Sequence, residues 1–140
     1  MGFKQICAVN TTQLLVRLTE LVWPPSGGGV YAMIKILAPE WAADQVIAQV
    51  LSFYPGGRRG MTMYSRLIPG QTIPAHIDEH EGCHKRVHVP ITTNAKSWFH
   101  SGDQTSHFEV GYAYEIDPFI PHSVVNEGKI DRVHLIFNVL

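Results

Sequence analysis

Apolar positions recur with two different periods along this chain, and the change of period divides it. Val46, Ile47, Val50, Leu51 and Tyr54 fall three and four apart, which predicts a helix from about Glu40 to Phe53 with one face packed on the back of a sheet. Pro39 stands at its first turn and Pro55-Gly56-Gly57 ends it. From Met61 onward the period falls to two. Strands are predicted near 61–68, 85–92, 96–101, 105–109, 111–116, 121–126 and 131–139. Turn residues separate them, among them Pro69-Gly70, Glu81-Gly82, Ser101-Gly102-Asp103 and Asn126-Glu127-Gly128. A further strand is predicted over 30–37, and a short helix capped by Thr11 or Thr12 ahead of it. Trp23-Pro24-Pro25-Ser26-Gly27-Gly28-Gly29 breaks any regular element. No Lys-Ser/Thr follows these glycines, so they read as a connector and not a phosphate loop. Many short strands at regular spacing predict a mainly β architecture, a sandwich or barrel-like jelly roll with one or two buttressing helices. No repeat or linker divides it, so residues 1–140 are expected to form one domain.

Composition narrows the functional classes. The chain has 140 residues, 45% hydrophobic and 16% charged, an ordinary globular balance. A formal net charge of −1 provides no electrostatic footprint for nucleic acid or an anionic membrane. No long apolar run follows a basic start, so neither leader nor membrane span is expected. Cys7 and Cys83 make neither a disulfide framework nor a metal knuckle, which points to a reducing, cytoplasmic setting. Oligomeric state is not legible. The eight histidines, by contrast, all fall between His76 and His134.

Pro74-Ala75-His76-Ile77-Asp78 is the centre of that bunching. In extended chain, residues two apart project the same way, so His76 and Asp78 offer an imidazole and a carboxylate together. These are two legs of the 2-His-1-carboxylate face that holds iron(II) with positions left open. His122 is the best third leg. On the strand after His76, Arg86, His88 and Pro90 share one face and Val87, Val89 and Ile91 the other. Either Arg86 and His88 lie on a solvated face, or they line a pocket for an anion, whose carboxylate a guanidinium fork would match. The turn Glu127-Gly128-Lys129 predicts that the strands carrying His122 and Arg132 are antiparallel neighbours. An inward Arg132 would demand an anion, because an unpaired cation in a β core is very unfavourable.

Six segments together carry a resemblance: Tyr64-Ser65-Arg66-Leu67-Ile68-Pro69-Gly70, Ile73-Pro74-Ala75-His76-Ile77-Asp78, Arg86-Val87-His88-Val89-Pro90, Glu115-Ile116-Asp117, His122-Ser123-Val124-Val125-Asn126 and Arg132-Val133-His134-Leu135-Ile136-Phe137. In order and spacing they resemble the aspartyl/asparaginyl β-hydroxylase family of iron(II)/2-oxoglutarate oxygenases, which implies a double-stranded β-helix. The resemblance implies that His76 and His122 bind iron. It implies that Arg132, with Ser65, holds the distal carboxylate of 2-oxoglutarate, and that Arg86 and His88 lie beside cosubstrate and substrate. The family varies at the position of Asp78, and a carboxylate here favours a three-ligand face. With O2 as co-reactant, the implied activity is hydroxylation of a substrate C–H with release of succinate and CO2. The implied substrate is an amino acid, an aspartyl or asparaginyl residue, or another small carboxylate-bearing molecule.

Other residues carry blander expectations. Glu79, Glu81, His80, Cys83 and His84 read as loop residues, and His100 and His107 as exposed turn flanks. Arg58-Arg59 reads as solvated, and Trp98 and Phe99 as core or rim. Asp117 is a candidate to orient the His122 strand, and His134 a candidate for the pocket wall. A cupin-like module that binds a metal, zinc included, or an anion without redox chemistry is the competing class. Such a module needs neither Arg132 nor an open metal position.

Overall fold

The computed structural model describes residues 2–24, 31–78 and 85–140, and places ten strands and two helices among them. In chain order they are β1 (Phe3–Ala8), α1 (Thr12–Leu18), β2 (Ala32–Lys35), α2 (Trp41–Leu51), β3 (Arg59–Leu67) and β4 (Thr72–His76). There follow β5 (Lys85–Thr92), β6 (Ser97–Ser101), β7 (Gln104–Ser106), β8 (Tyr112–Ile116), β9 (His122–Asn126) and β10 (Arg132–Val139). All pairings are antiparallel. They build a six-stranded sheet in the order β1-β8-β5-β10-β3-β2 and a four-stranded sheet in the order β4-β9-β6-β7. This is the mainly β, jelly-roll architecture that the alternation predicts.

Strand alternation sorts the six-stranded sheet into two chemically different faces. Val87, Val89 and Ile91 of β5, Val133, Leu135, Phe137 and Val139 of β10 and Tyr64 of β3 point one way. They pack under Leu14 of α1 and Ala42, Ala43, Val46, Ile47 and Val50 of α2. The opposite face meets the four-stranded sheet. Leu67, Tyr114 and Ile116 pack there against Phe99, Phe108 and Val124, and Arg86, His88, Arg132 and His134 sit between the layers, all buried. So the solvated-face reading of Arg86 and His88 fails, because a second sheet covers that face.

Two local expectations need correction, and one strand was not foreseen. Helix α1 is capped by Asn10, whose Oδ1 accepts from the N–H of Thr12 at 2.9 Å; the Thr11 side chain caps nothing. Helix α2 begins at Trp41, one turn-residue past Pro39, and the Glu40 N–H donates to Asp44 Oδ2 at 3.1 Å. Strand β1 escapes the pattern altogether, since it is a half-exposed edge strand with a register shift between Gln5 and Cys7 that breaks its alternation.

The larger correction concerns β9 and β10, which are not neighbours. Strand β9 lies between β4 and β6, and β10 between β3 and β5, so residues 127–131 cross from one sheet to the other. Asn126 fixes that crossing. Its Nδ2 donates to the carbonyls of Leu67 and Ile130, both at 2.9 Å, and its Oδ1 accepts from Asn94 Nδ2 at 3.0 Å and the Gly128 N–H at 3.1 Å. A Cβ at position 128 would stand 2.0 Å from Asn94 Oδ1, so a side chain there would displace the Asn94 amide from its bonds to Asn126 and Ile130.

Leu135 is fully buried at the centre of the helix-covered face, whereas Leu37 is 89% exposed. Leu135→Ala is expected to lower unfolding stability by roughly 2–5 kcal/mol. Leu37→Ala should change it by less than about 0.5 kcal/mol. Urea denaturation of both variants checks the assignment.

Candidate metal and anion site

The antiparallel register of β4 and β9 sets His76 directly opposite His122. Their rings lie 4.4 Å apart between centroids, and the Phe99 ring stacks on His122 at 5.7 Å. Asp78 follows β4, held by its N–H donating to the Pro118 carbonyl at 2.8 Å. One nitrogen or oxygen from each of His76, Asp78 and His122 lies within 4.8 Å of the others. The HxD spacing and the distant His therefore converge as the alternation predicts.

Hydrogen bonds assign the imidazole tautomers. His76 Nδ1 faces the Pro74 carbonyl at 2.8 Å and His122 Nδ1 faces the Ile120 carbonyl at 2.9 Å, so each Nδ1 carries the proton it donates. Both Nε2 atoms then turn toward Asp78, at 3.7 Å from Oδ1 for His76 and 3.1 Å from Oδ2 for His122. A bare Nε2 and a carboxylate oxygen that close repel unless a positive centre lies between them, a proton or a metal ion. Two imidazoles and one carboxylate suit iron(II). Burial alone would raise the Asp78 carboxyl, but the contact with His122 and the charges of Arg86, His122 and His76 outweigh it and hold it below its ordinary value.

Beside this cluster runs a cavity of about 290 Å³. Its floor is Arg132, 2% exposed, whose Nη1 and Nη2 find no hydrogen-bond partner among the described residues. Burial pushes this guanidinium down to about 9. An uncompensated buried cation is unfavourable by itself, and an anion in the cavity would relieve it. Ser65 lines the same cavity from β3, where its neighbour across the ladder is His134 of β10. Arg132 and His122 thus meet across the gap between sheets and not along a hairpin. His88 lines the cavity too, and its Nδ1 lies 3.0 Å from His134 Nδ1, which places His134 behind His88 and off the cavity wall. Burial first, then the charge of Arg132, pushes both rings well below their ordinary range. A larger open groove of about 560 Å³, near Tyr54, Lys85 and Leu140, contains none of these residues.

Several expectations resolve differently. Asp117 is exposed and caps the Phe119 N–H at 2.9 Å; the carbonyl of Ile120, not Asp117, orients His122. Arg59 pairs with Asp44 and is not simply solvated. His100 and His107 are half-buried, bonded to Thr105 and the Ser97 carbonyl. Glu79, His80, Glu81, Cys83 and His84 lie outside the described residues. Sequence reasoning missed Asn138, whose Oδ1 accepts from Arg86 Nε at 2.9 Å. Its signal was available: it shares parity with Arg132 and His134 on an otherwise apolar strand. The cavity lining of Tyr31, Met33, Lys35, Met61 and Met63 was also missed, since those residues carry no motif.

The comparisons with known proteins follow this geometry. The family model for aspartyl/asparaginyl β-hydroxylase matches residues 43–140. The chain therefore belongs to the aspartyl/asparaginyl β-hydroxylase family of iron(II)/2-oxoglutarate-dependent oxygenases. It is accordingly an enzyme of the 2-oxoglutarate-dependent hydroxylase class, whose cofactor set is iron(II), 2-oxoglutarate and O2. No curated protein matches significantly in sequence. Among solved structures, a viral collagen prolyl hydroxylase from Paramecium bursaria Chlorella virus-1 is similar with a TM-score of 0.77 at 8% identity, covering 99% of this chain and 96% of that one. An oxidoreductase of the 2OG-Fe(II) oxygenase family from Burkholderia pseudomallei gives 0.74 at 12% identity, covering 99% and 84%. A cupin domain from Bordetella pertussis gives 0.53 at 17% identity, covering 79% and 94%. At such identities these likenesses establish the fold.

Two outcomes check the electrostatics. Arg132→Met is expected to stabilise the ligand-free chain by roughly 1–4 kcal/mol, since it removes a buried unpaired charge; a lower melting temperature would contradict this. His88 and His134 hold folded-state values below their ordinary 6.5. The unfolded chain therefore takes up protons first as pH falls, so stability present above about 6.5 is lost below it, by roughly 1.4 kcal/mol per pH unit for each ring. Urea midpoints taken across that range measure the slope.

Proposed function

We propose that His76, Asp78 and His122 hold iron(II), and that Arg132, with Ser65, binds the distal carboxylate of 2-oxoglutarate. The observation that carries this reading is the buried guanidinium of Arg132, without a partner of its own among the described residues, in the cavity that the three-ligand cluster borders. When bound, the iron with 2-oxoglutarate and O2 supplies oxidative decarboxylation to succinate and CO2 coupled to hydroxylation of a substrate C–H. The chain's own residues do the rest. The Nδ1–H bonds to Pro74 and Ile120 aim both Nε2 atoms at one point. Phe99, Val124 and Ile136 line the cavity with apolar surface that keeps water sparse. His88, kept neutral by burial, borders the cosubstrate space as a hydrogen-bonding group without adding a third charge.

The proposed substrate is an amino acid, an aspartyl or asparaginyl residue, or another small carboxylate-bearing molecule. A small free acid is favoured over a peptide. Tyr31, Met33, Lys35 and Met61 also line the cavity, and the exposed Lys35 among them is a cation suited to an incoming carboxylate. Among the described residues no helix is long and apolar enough to cross a membrane. A cytoplasmic setting, without nucleic acid or membrane partners, is supported by the near-neutral net charge and the two cysteines.

Anaerobic calorimetry with 2-oxoglutarate tests the reading, with and without manganese(II) in place of iron. Metal-dependent binding is expected, lost in His122→Ala and weakened at least 100-fold in Arg132→Ala, about the loss of one buried charge-assisted pair. Undiminished binding in Arg132→Ala would remove its assignment. No binding under any metal condition would leave the cupin-like binding module as the better description.

A further inference from the structure

Arg86 is engaged before any substrate arrives. Its Nη1 lies 3.0 Å from Asp78 Oδ2, and its Nε donates to Asn138 Oδ1 at 2.9 Å. All three side chains are buried. Asn138 sits on β10 directly across the ladder from Arg86 on β5, so the brace is anchored in the centre of the larger sheet. Asp78, in contrast, stands beyond the end of β4, where its backbone is tied by the N–H to Pro118. The carboxylate that completes the metal face is thus the member with least secondary structure around it, and a guanidinium grips one of its two oxygens.

A cation beside a metal ligand has two opposed effects. As a charge it repels an incoming divalent ion. As a charge 3.0 Å from Oδ2, the oxygen that also faces His122, it restrains the Asp78 side chain and leaves Oδ1 turned toward His76. We infer that Arg86, braced by Asn138, is a positioning residue that holds Asp78 in its metal-ligating orientation. Burial of the whole chain Asn138–Arg86–Asp78 favours the second effect, since ordering a buried ligand commonly sets metal affinity. The inference rests on the metal reading above, but not on 2-oxoglutarate or on any substrate.

Manganese(II) titrated into the full chain separates the two effects, because they carry opposite signs. Arg86→Met is expected to weaken Mn(II) affinity by roughly 10- to 100-fold. Arg86→Lys should weaken it also, since an ammonium cannot span Asn138 and Asp78 together. In an Asp78→Ala background, Arg86→Met should leave affinity unchanged or slightly improved, because nothing remains to be positioned. The Mn(II) electron paramagnetic resonance spectrum of Arg86→Met should move toward that of Asp78→Ala, a change that general destabilisation would not produce. Unchanged or tighter binding in Arg86→Met with Asp78 intact overturns the inference while the metal reading stands. Absence of Mn(II) binding by the unaltered chain overturns both. Should Arg86→Met melt below the assay temperature, Arg86→Lys, which keeps the buried charge, decides the matter by the same criterion.

Discussion

The fold is built around a polar seam between two sheets. One face of the larger sheet is sealed by helices over an aliphatic core. The other receives Arg86, His88, Arg132 and His134, all buried between the layers. Among the described residues, Asp78 is the carboxylate placed with them in the cavity lining. Charge of this kind is tolerated where it is hydrogen-bonded, held neutral, or answered by a ligand. Two of these are present among the described residues, with Arg86 beside Asn138 and Asp78 and the two histidines in contact as neutral rings, and an anion bound to Arg132, as proposed, would supply the third. The stability lost in this seam is recovered on the helix side, where β5 and β10 present an unbroken row of aliphatic and aromatic side chains.

That division of labour places His76, His122 and Arg132 on strands, with Asp78 just beyond the end of β4. His122 and Arg132 are the first residues of β9 and β10, and His76 the last of β4. Positions at strand ends combine a fixed backbone with access to the space between layers. The crossing at Asn126 couples them, since one buried amide joins the end of β9, the end of β3 and the approach to β10. The distance from His76 and His122 to Arg132 is therefore set by the separation of the two sheets.

Much of this was legible in the residues. Alternation alone put Val87, Val89 and Ile91 opposite Arg86 and His88, and His76 beside Asp78. What alternation could not supply was the identity of the neighbour: β9 and β10 read as a hairpin because five intervening residues with a glycine make hairpins more often than crossings. The difference lies in Asn126, whose contacts with Leu67 and Asn94 are long-range and silent in a local pattern. Strand β1 was hidden for a related reason, as an edge strand needs only one buried side and a bulge erases even that rhythm. Part of the cavity lining was illegible because Met33, Lys35 and Met61 gain meaning only from the cavity they border.

The two histidines of the metal face are not equivalent in exposure. His122 is buried beneath Phe99, whereas the His76 side chain is 40% exposed at the outer rim. One side of the coordination face therefore looks into the protein and the other toward solvent. An ion would exchange through the His76 side, with the other two ligands already in position behind it. The His76 side is therefore the more open edge of the proposed metal face, and the His122 side its enclosed one.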